Sequence, residues 1–167
     1  MSGLDISLST NADDAAQEIA KEKAECDGIM AAKIKRGCIA TFARMIRIAP
    51  RLTGNYRANM YLSLLENPKT YRITGRRAGL PKELLGYRGH NESRLALIRP
   101  HYEAIEKQHI AEASAAFSGK NLNAIRHVTI YNDAPHAHLV ESGGTRNKAH
   151  WVFLRGQAMA ESALNGD

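Results

Sequence analysis

The residues with the clearest potential for chemistry lie close together in the C-terminal third of the chain: His136, His138 and Glu141. Imidazole and carboxylate groups are common ligands of zinc, and such a site would support metal-dependent hydrolysis. On an ideal helix, however, residues two apart point about 200° from each other, so the two histidines could not bind one ion together. On a strand they would share a face. The sequence therefore disfavours a metal site and predicts that His136 fills an apolar pocket while His138 is solvated.

Other catalytic motifs are missing from the sequence. The glycine-rich segments 74–79 and 142–145 lack the Lys-Ser/Thr pair that follows the glycines of a phosphate-binding loop. No serine elbow, catalytic cysteine context or close pair of carboxylates forms a known motif. Cys26 and Cys38 would lie about 18 Å apart on one helix, too far for a disulfide, and we expect reduced core thiols. The sequence thus predicts a protein that is not an enzyme and has no catalytic, cofactor-binding or metal-binding residues.

Glu141 needs a partner, because it stands at the end of a predicted short helix. The dipole of a helix disfavours a negative charge at that end by about 0.3–1 kcal/mol. The candidate partners are Arg57, Arg146 and the amides around Thr53 and Gly54. Pairing with any of them would join two distant segments of the chain. The alternative is an exposed carboxylate without a partner.

Composition and charge restrict the class of protein. A chain of 167 residues with 44% hydrophobic content fits one domain with its own core. No apolar run approaches the ~20 residues of a membrane span, and residues 2–14 are polar and acidic, so we expect neither a secreted nor a membrane-spanning protein. Much of the net charge of +6 lies between residues 69 and 94. The basic residues there are Lys69, Arg72, Arg76, Arg77, Lys82, Arg88 and Arg94.

This basic segment has two possible roles. It could contact DNA phosphates, with Tyr71 and Tyr87 available for stacking. A solvated or partner-binding loop is favoured, because runs of charge usually lie on the surface. Arginine also pairs with carboxylates through two parallel hydrogen bonds, which suits contact with an acidic surface on a partner protein.

Hydrophobic periodicity predicts one long element at the N-terminus. A helix is expected from about Asn11 to Ile48, because apolar residues recur there at three- and four-residue steps. Pro50 ends it, since proline donates no amide and the residue before it leaves the α region. A bend at Gly28 or Gly37 stays open. The stripe expected to be buried, against the domain or a neighbouring subunit, consists of Ile19, Cys26, Met30, Ile34, Cys38, Phe42, Met45 and Ile46.

Shorter elements follow. Residues 54–64 predict a turn and then a strand, and residues 127–132 predict a second strand. Helices are expected at about 94–118, from Asp133 as N-cap over about two turns, and at about 152–164. The side chains of the longer two expected in the core are Leu97, Tyr102 or His101, Ile105, Ala113, Ala116, Leu154, Ala158, Met159 and Ala163.

Together these elements predict an α+β fold, with a long N-terminal helix, a small mostly antiparallel sheet and further helices that include a C-terminal one. We expect a single domain over residues 1–167. It would carry a basic loop insertion at about 69–93 and an added helix at about 94–118. No internal repeat is visible in the sequence.

Two segments resemble the paired motifs of bacteriophage head-to-tail joining or tail-completion proteins, which are neck or minor tail proteins of long-tailed double-stranded-DNA phages. The family pattern is a long helix, Pro-x-x-Thr-Gly-x-aromatic/Leu-Arg, a strand with Asn, Ala-Pro-Tyr-Ala, Val-Glu, Gly-Thr and a C-terminal Phe-Leu-x-x-Ala helix. The matching residues of the first motif segment (50–57) and the second motif segment (128–145) are Pro50, Thr53, Gly54, Tyr56 and Arg57, then Asn132, Ala134, Pro135, Ala137, Val140, Glu141, Gly144 and Thr145.

The last part of the pattern is matched by Phe153, Leu154 and, offset by one, Ala158. Three features depart from it. His136 replaces the usual Tyr, the Ser-Gly-Gly at 142–144 is one residue longer than the common form, and the insertion from about 69 to 118 exceeds a minimal member.

The resemblance implies that these motif residues define the fold of a structural virion protein. Such proteins form a homo-oligomeric ring, with six-fold symmetry favoured and twelve-fold possible, through which DNA passes. The implied partners are further copies of the chain, the head connector or adaptor protein, the tail terminator or tail tube protein, and genomic DNA. The implied location is the neck or tail top of the virion, and the host cytoplasm during assembly.

Two other functions stay open at this stage. The first alternative is a small basic DNA-binding module, for which the basic segment at 69–94 is the sole positive observation. The other is a metal-dependent hydrolase that uses His136, His138 and Glu141. Strong DNA affinity of the monomer would favour the former, and stoichiometric bound metal the latter.

Overall fold

The computed structural model describes residues 11–50, 54–66, 79–85, 92–143 and 149–165 of the chain. In chain order, the elements of these residues are α1 (Asn11–Ile48), α2 (Asn55–Ala58), β1 (Met60–Ser63), α3 (Lys82–Leu85), α4 (Glu92–Phe117), a 3-10 helix (Leu122–Ala124), β2 (Thr129–Asn132), α5 (Ala137–Ser142) and α6 (Val152–Asn165). The fold is mixed α+β, as predicted, with a long N-terminal helix, an antiparallel sheet and a C-terminal helix. Within these described residues, no helix combines the length and hydropathy that crossing a membrane requires.

The C-terminal half of α1 forms the centre of the core. Apolar residues three and four positions apart share one face of a helix, and on this half of α1 that face is covered by the other elements. Helix α2, strand β1, helix α4 and helix α6 each contribute a side chain to the same cluster. The buried residues of this cluster are Phe42, Met45, Ile46, Ala49, Tyr56, Met60, Ala113 and Val152.

Helix α6 runs antiparallel to α1 at close range. A Cβ atom on Gly156 would lie 2.8 Å from Met45 Cγ, so only glycine permits this approach without a shift of Met45. At the other end of the contact, a Cβ atom on Gly37 would lie 3.8 Å from Ala163 Cβ, an ordinary contact distance. Gly156 therefore leaves room for the Met45 side chain between the two helices.

Helix α4 also runs antiparallel to α1, along another side. Arg47 Nη2 lies 2.5 Å from Glu106 Oε1 in an ion pair between the two helices. The ring of His109, which is buried, meets the ring of Phe42 edge-on with centroids 5.9 Å apart. The polar contact lies at the surface and the aromatic contact inside, so α4 is fixed to α1 mainly by burial.

The two described strands form an antiparallel pair. Met60 lies opposite Asn132 and Tyr61 opposite Tyr131, and the two tyrosine rings stack with centroids 5.3 Å apart. The turn followed by a strand that the sequence predicted is observed as α2 and β1. Because β1 follows the first motif segment and β2 belongs to the second, the sheet brings the two segments together.

The N-terminal half of α1 departs from the predicted buried stripe. The helix is continuous through Gly28 and Gly37, and every residue from 14 to 30 is exposed, including Ile19 at 65% and Met30 at 56%. Cys26 is exposed and so is not a core thiol, whereas Cys38 is half-buried and burial raises the pKa of its thiol. The stripe extends further than the rest of the domain does, since α6 has only 14 residues. About 25 Å of α1 therefore projects from the described domain.

The buried faces of the other two long helices agree with the prediction only in part. In α4, Tyr102 and Ala113 are buried as predicted, whereas Leu97 is 52% exposed and its neighbour Ile98 is 4% exposed. In α6, Leu154 is 60% exposed while Val152 is fully buried, and Ala158 and Ala163, which were also expected in the core, are exposed. Val152 and Gly156 lie one turn apart, on the face of α6 that packs against α1.

Candidate functional site

The first motif segment begins with a tight turn after α1. Gly54 has φ 72°, a left-handed conformation that favours glycine, and a Cβ atom there would lie 3.0 Å from the backbone nitrogen of Leu80. The next residue, Asn55, accepts a hydrogen bond from the Gly79 amide at 3.0 Å through Oδ1. The Gly of the motif thus permits both the turn and the close approach of residues 79–80.

Arg57 caps the end of α1 from inside the domain. Its Nε donates to the Ala49 carbonyl at 2.9 Å, and its Nη2 donates to the Arg47 carbonyl at 2.5 Å and to Ala49 at 2.6 Å. The guanidinium also lies over the Tyr102 ring, 4.8 Å from its centroid. Since helix C-termini carry partial negative charge, this buried cation is placed where that charge is stabilised.

The second motif segment reaches the first through Asn132. Its Nδ2 donates to the Tyr56 carbonyl at 2.8 Å, and its Oδ1 accepts from the Ala134 amide at 2.8 Å. The Asp133 amide donates to the Asn59 carbonyl at 2.9 Å. A single Asn side chain therefore fixes its own turn and connects it to α2.

Glu141 completes the connection. Tyr56 donates its phenolic hydrogen to Glu141 Oε1, and the Phe153 amide donates to Oε2 at 3.0 Å. The prediction that Glu141 pairs across the two motif segments is confirmed by its contact with Tyr56, a residue that was not among the candidates named from the sequence. Of those candidates, Thr53 and Arg146 lie outside the described residues. The carboxylate lies at the end of α5 and at the beginning of α6, where the positive end of the α6 dipole stabilises a negative charge.

The chemistry of this cluster is that of a hydrogen-bond network. Burial raises the pKa of Tyr56 above its ordinary value, and the hydrogen bond to Glu141 and the charge of Glu141 raise it further. A phenol with a raised pKa stays protonated and serves as a donor, not as a nucleophile or base. The arrangement therefore supports the fold, and we expect no reaction at it.

The structure describes ten of the thirteen motif residues and brings most of those ten into one region. Ala134 is buried, Val140 is half-buried and Pro135 is exposed, and the Val140 carbonyl accepts from the His150 amide at 2.8 Å. Ala137 is the first residue of α5. Pro50 follows the end of α1, as predicted. Predicted motif residues that lie outside the described residues are Thr53, Gly144 and Thr145.

Two of the seven basic residues of the basic segment lie within the described residues. Lys82 is exposed in α3, a short helix within the predicted loop insertion, and Arg94 belongs to α4. Neither is placed near the Tyr56–Glu141 hydrogen bond by a described contact. The residues that lie outside the described part of the chain are Lys69, Arg72, Arg76, Arg77 and Arg88, together with Arg146.

The histidines do not gather into a metal site among the described residues, where no group of three or more ligand-type side chains is found. His138 is exposed, as predicted, and His136 is half-buried. His136, and not Asp133, is the N-cap of α5, so this helix begins later than the sequence predicted. Asp133 instead continues the pairing of β2 through its amide.

Sequence reasoning missed the junction between α5 and α6. Trp151 has φ 51°, an uncommon conformation for a residue with a side chain, and its carbonyl accepts from the Arg155 amide at 3.0 Å. The His150 and Phe153 amides on either side of it are held by Val140 and Glu141. The one signal in the sequence was the unexplained charge of Glu141 at a helix end.

Comparisons with protein-family models, with curated proteins and with solved structures found no match to this chain.

Replacing Tyr56 with Phe is expected to lower the free energy of unfolding by about 1–2 kcal/mol at pH 7, because Glu141 loses a donor. The pKa of Tyr56 is raised in the folded state, so this stabilisation is present below the unfolded-state value near 10.0 and is lost as the pH rises above it. Above that pH, the stability difference between wild type and variant should shrink by about 1.4 kcal/mol per pH unit. Urea unfolding at pH 7, 9, 10 and 10.5 measures this difference.

The matched control for Tyr56→Phe is Glu141→Gln, which keeps the shape of the acceptor but removes its charge. The double variant should be less destabilised than the sum of the two single variants, because both remove the same interaction. Strict additivity, or a stability difference that does not change above pH 10, would count against the network.

Proposed function

We propose that this protein is a structural virion protein of the phage neck or tail terminus, and that it forms a ring that joins the head connector to the tail and lets DNA pass. The observation that supports the proposal is the contact between the two motif segments, made by Tyr56, Asn132 and Glu141. These are residues that the resemblance identifies as fold-defining. A motif whose members meet in space is more informative than the same letters scattered over a surface.

A second observation agrees with a structural role rather than an enzymatic one. The polar side chains of four described motif residues are engaged with the backbone and with each other, as in the capping of α1 by Arg57 and of α6 by Glu141; the four are Tyr56, Arg57, Asn132 and Glu141. Catalytic sites, in contrast, present titratable groups to a cleft where a substrate can reach them. We propose accordingly that the protein has no catalytic residues, no cofactor and no resident metal.

A third observation concerns assembly. A ring requires two different surfaces on each copy, which meet on neighbouring copies and close. The chain offers a projecting helical segment, residues 14–30, whose side chains are exposed. Such a segment is costly to expose in a monomer when it carries side chains such as Ile19 and Met30, and contact with a partner would cover them.

The test of the proposal is the position of the protein in phage particles. Gold-labelled antibody to this chain, viewed by electron microscopy on intact particles, is expected to mark the junction of head and tail. Particles assembled without the chain should accumulate as separate heads and tails, and expression of the wild-type chain should restore joined particles.

Variants sharpen this test. Glu141→Lys, which reverses the charge between Tyr56 and Phe153, should fail to restore joined particles, whereas Glu161→Lys, at an exposed position of α6, should restore them. Label absent from intact particles, with normal joining in the absence of the chain, would sink the neck proposal. Tight DNA binding by the monomer would then favour the basic DNA-binding alternative.

A further inference from the structure

The projecting segment of α1 carries two distinct strips of side chains. Five acidic and two basic residues lie between positions 14 and 30. At 100° per residue, four of the acidic residues fall on one side of the helix, and a strip with apolar residues lies beside them. The acidic strip consists of Asp14, Glu18, Glu22 and Glu25, and the apolar strip contains Ala16, Ile19, Cys26 and Met30, with Lys23 on the same side of the helix. All of these residues are exposed.

The segment is free of contact along its own length as described. A Cβ atom built on Gly28 would meet no other atom within 4 Å, and Ile29 is 63% exposed. The helix is continuous from this segment into the core, and no described residue of the domain covers its apolar strip. A second copy of the chain can cover this strip if the domain carries a complementary groove.

A groove of about 710 Å³ lies elsewhere on the domain, between the residues after β1 and the end of α4 with the 3-10 helix. Its floor is apolar, with Leu62, Leu65 and Ile125, and Leu65 is 39% exposed. Its rim carries the exposed cations Lys120 and Arg126.

The groove continues towards α1. A second depression of about 250 Å³ shares Ile125, Arg126 and His127 with the first and extends to Ile34 and Lys35. One carboxylate belongs to this area, since Glu66 Oε2 lies 3.9 Å from His127 Nε2. The rim as a whole is basic, and the floor is apolar.

We infer that the projecting segment of one copy binds in this groove of the next copy, with its apolar strip against the apolar floor and its acidic strip towards the basic rim. The inference rests on the proposed ring and names the surfaces that form its repeating contact. An amphipathic helix laid into an apolar groove is a common mode of recognition, and the carboxylates of Glu18, Glu22 and Glu25 would meet Lys120 and Arg126 at its rim. The two surfaces are different, so the contact is head-to-tail and repeats from copy to copy.

Charge reversal on either side of the contact tests the inference. Glu18→Lys/Glu22→Lys/Glu25→Lys and, separately, Lys120→Glu/Arg126→Glu should each weaken self-association by about tenfold or more. A variant that carries all five substitutions should recover most of the affinity, because the charges on the two surfaces are then exchanged and attract each other again. Sedimentation velocity of the full chain over a range of concentrations measures the association.

The matched control changes the net charge by the same amount as the triple glutamate variant of the projecting segment, but at positions away from both surfaces. Glu83→Lys/Glu103→Lys/Glu161→Lys alters three exposed residues and should associate as the wild type does. Circular dichroism checks that every variant is folded. Equal weakening by the control set would attribute the effect to general repulsion and overturn the inference.

A cross-link provides an independent measurement. In a Cys38→Ala background, Leu65→Cys should be joined to the native Cys26 of another copy by a short bis-maleimide, and removing Cys26 by Cys26→Ala should abolish the product. The inference would be overturned if the wild-type chain stayed monomeric, or if neither charge reversal weakened self-association. If self-association is unchanged but antibody still labels the head-tail junction, the neck proposal stands while this inference fails, so the two failures are distinguishable.

Discussion

The Arg57→Ala variant is expected to unfold with a free energy about 3–4 kcal/mol below that of the wild-type protein. The substitution removes three hydrogen bonds to the carbonyls of Arg47 and Ala49 at the end of α1, and a cation over the Tyr102 ring. Arg57 is 4% exposed, so water reaches the abandoned carbonyls poorly and does not replace the lost donors at low cost. Urea unfolding followed by circular dichroism measures the difference.

Two further variants separate the contacts of Arg57 from a general effect of removing an arginine. Arg44→Ala, at an exposed position of α1, should change stability by no more than about 0.5 kcal/mol. Arg57→Lys keeps the charge but lacks the planar fork that reaches both carbonyls, so its stability should fall between wild type and Arg57→Ala. Similar stabilities for Arg57→Ala and Arg44→Ala would show that the cap contributes little.

The elements of this fold that depend on local pattern could be predicted from the sequence. The range of α1, Asn11–Ile48, follows from continuous periodicity and from Pro50, which donates no amide and moves the residue before it out of the α region. The turn at Gly54 follows from a residue type that tolerates positive φ. These features need no information about distant residues, and so the sequence contains them.

The buried face of α6 depends on what packs against it, and it could not be read from periodicity alone. In α4, by contrast, Tyr102 and Ala113 were predicted in the core and are buried. In α6, Val152 and Leu154 are both apolar and either could be buried. Which of them is buried is decided by Gly156, whose missing side chain allows α1 to approach on that side. A glycine within a helix reads in sequence as a weak point, because it lowers helix propensity, and its role as a contact surface emerges only with its neighbour Met45.

The connection at Glu141 was half predictable. The helix dipole argument correctly requires a partner for a carboxylate at the end of α5. The identity of the partner depends on the path of the chain through β1 and β2, which no local pattern gives. The structure supplies the partner, because a buried tyrosine hydroxyl generally needs an acceptor, and Tyr56 is 2% exposed.

The contacts of the described motif residues lie within the domain. Tyr56, Arg57, Asn132 and Glu141 direct their described hydrogen bonds to the chain itself. Residues that bind partners must instead present their groups to solvent before the partner arrives. The motif residues therefore hold elements of the domain together, and the surfaces that we propose for self-association lie elsewhere, on the projecting segment of α1 and at the groove.

The Gly156→Leu variant is expected to lose about 3 kcal/mol of stability, the second largest effect after that of Arg57→Ala. Even the first carbon of a side chain at this position would lie 2.8 Å from Met45 Cγ, so Met45 must move or α6 must separate from α1. Separation would also expose Val152, which is fully buried, and so the cost combines overpacking with lost burial. Thermal and urea unfolding measure the loss.

Ala158→Leu is the matched control, because Ala158 is exposed on the same helix and receives the same side chain. It should change stability by no more than about 0.5 kcal/mol. Met45→Ala makes room beside Gly156, so the Met45→Ala/Gly156→Leu double variant should be more stable than the sum of the single effects allows, by about 1–2 kcal/mol. Equal costs for Gly156→Leu and Ala158→Leu, or simple additivity in the double variant, would mean that α1 and α6 do not depend on this close approach. The position of the C-terminal helix, and with it the Phe153 amide that Glu141 binds, would then require another explanation.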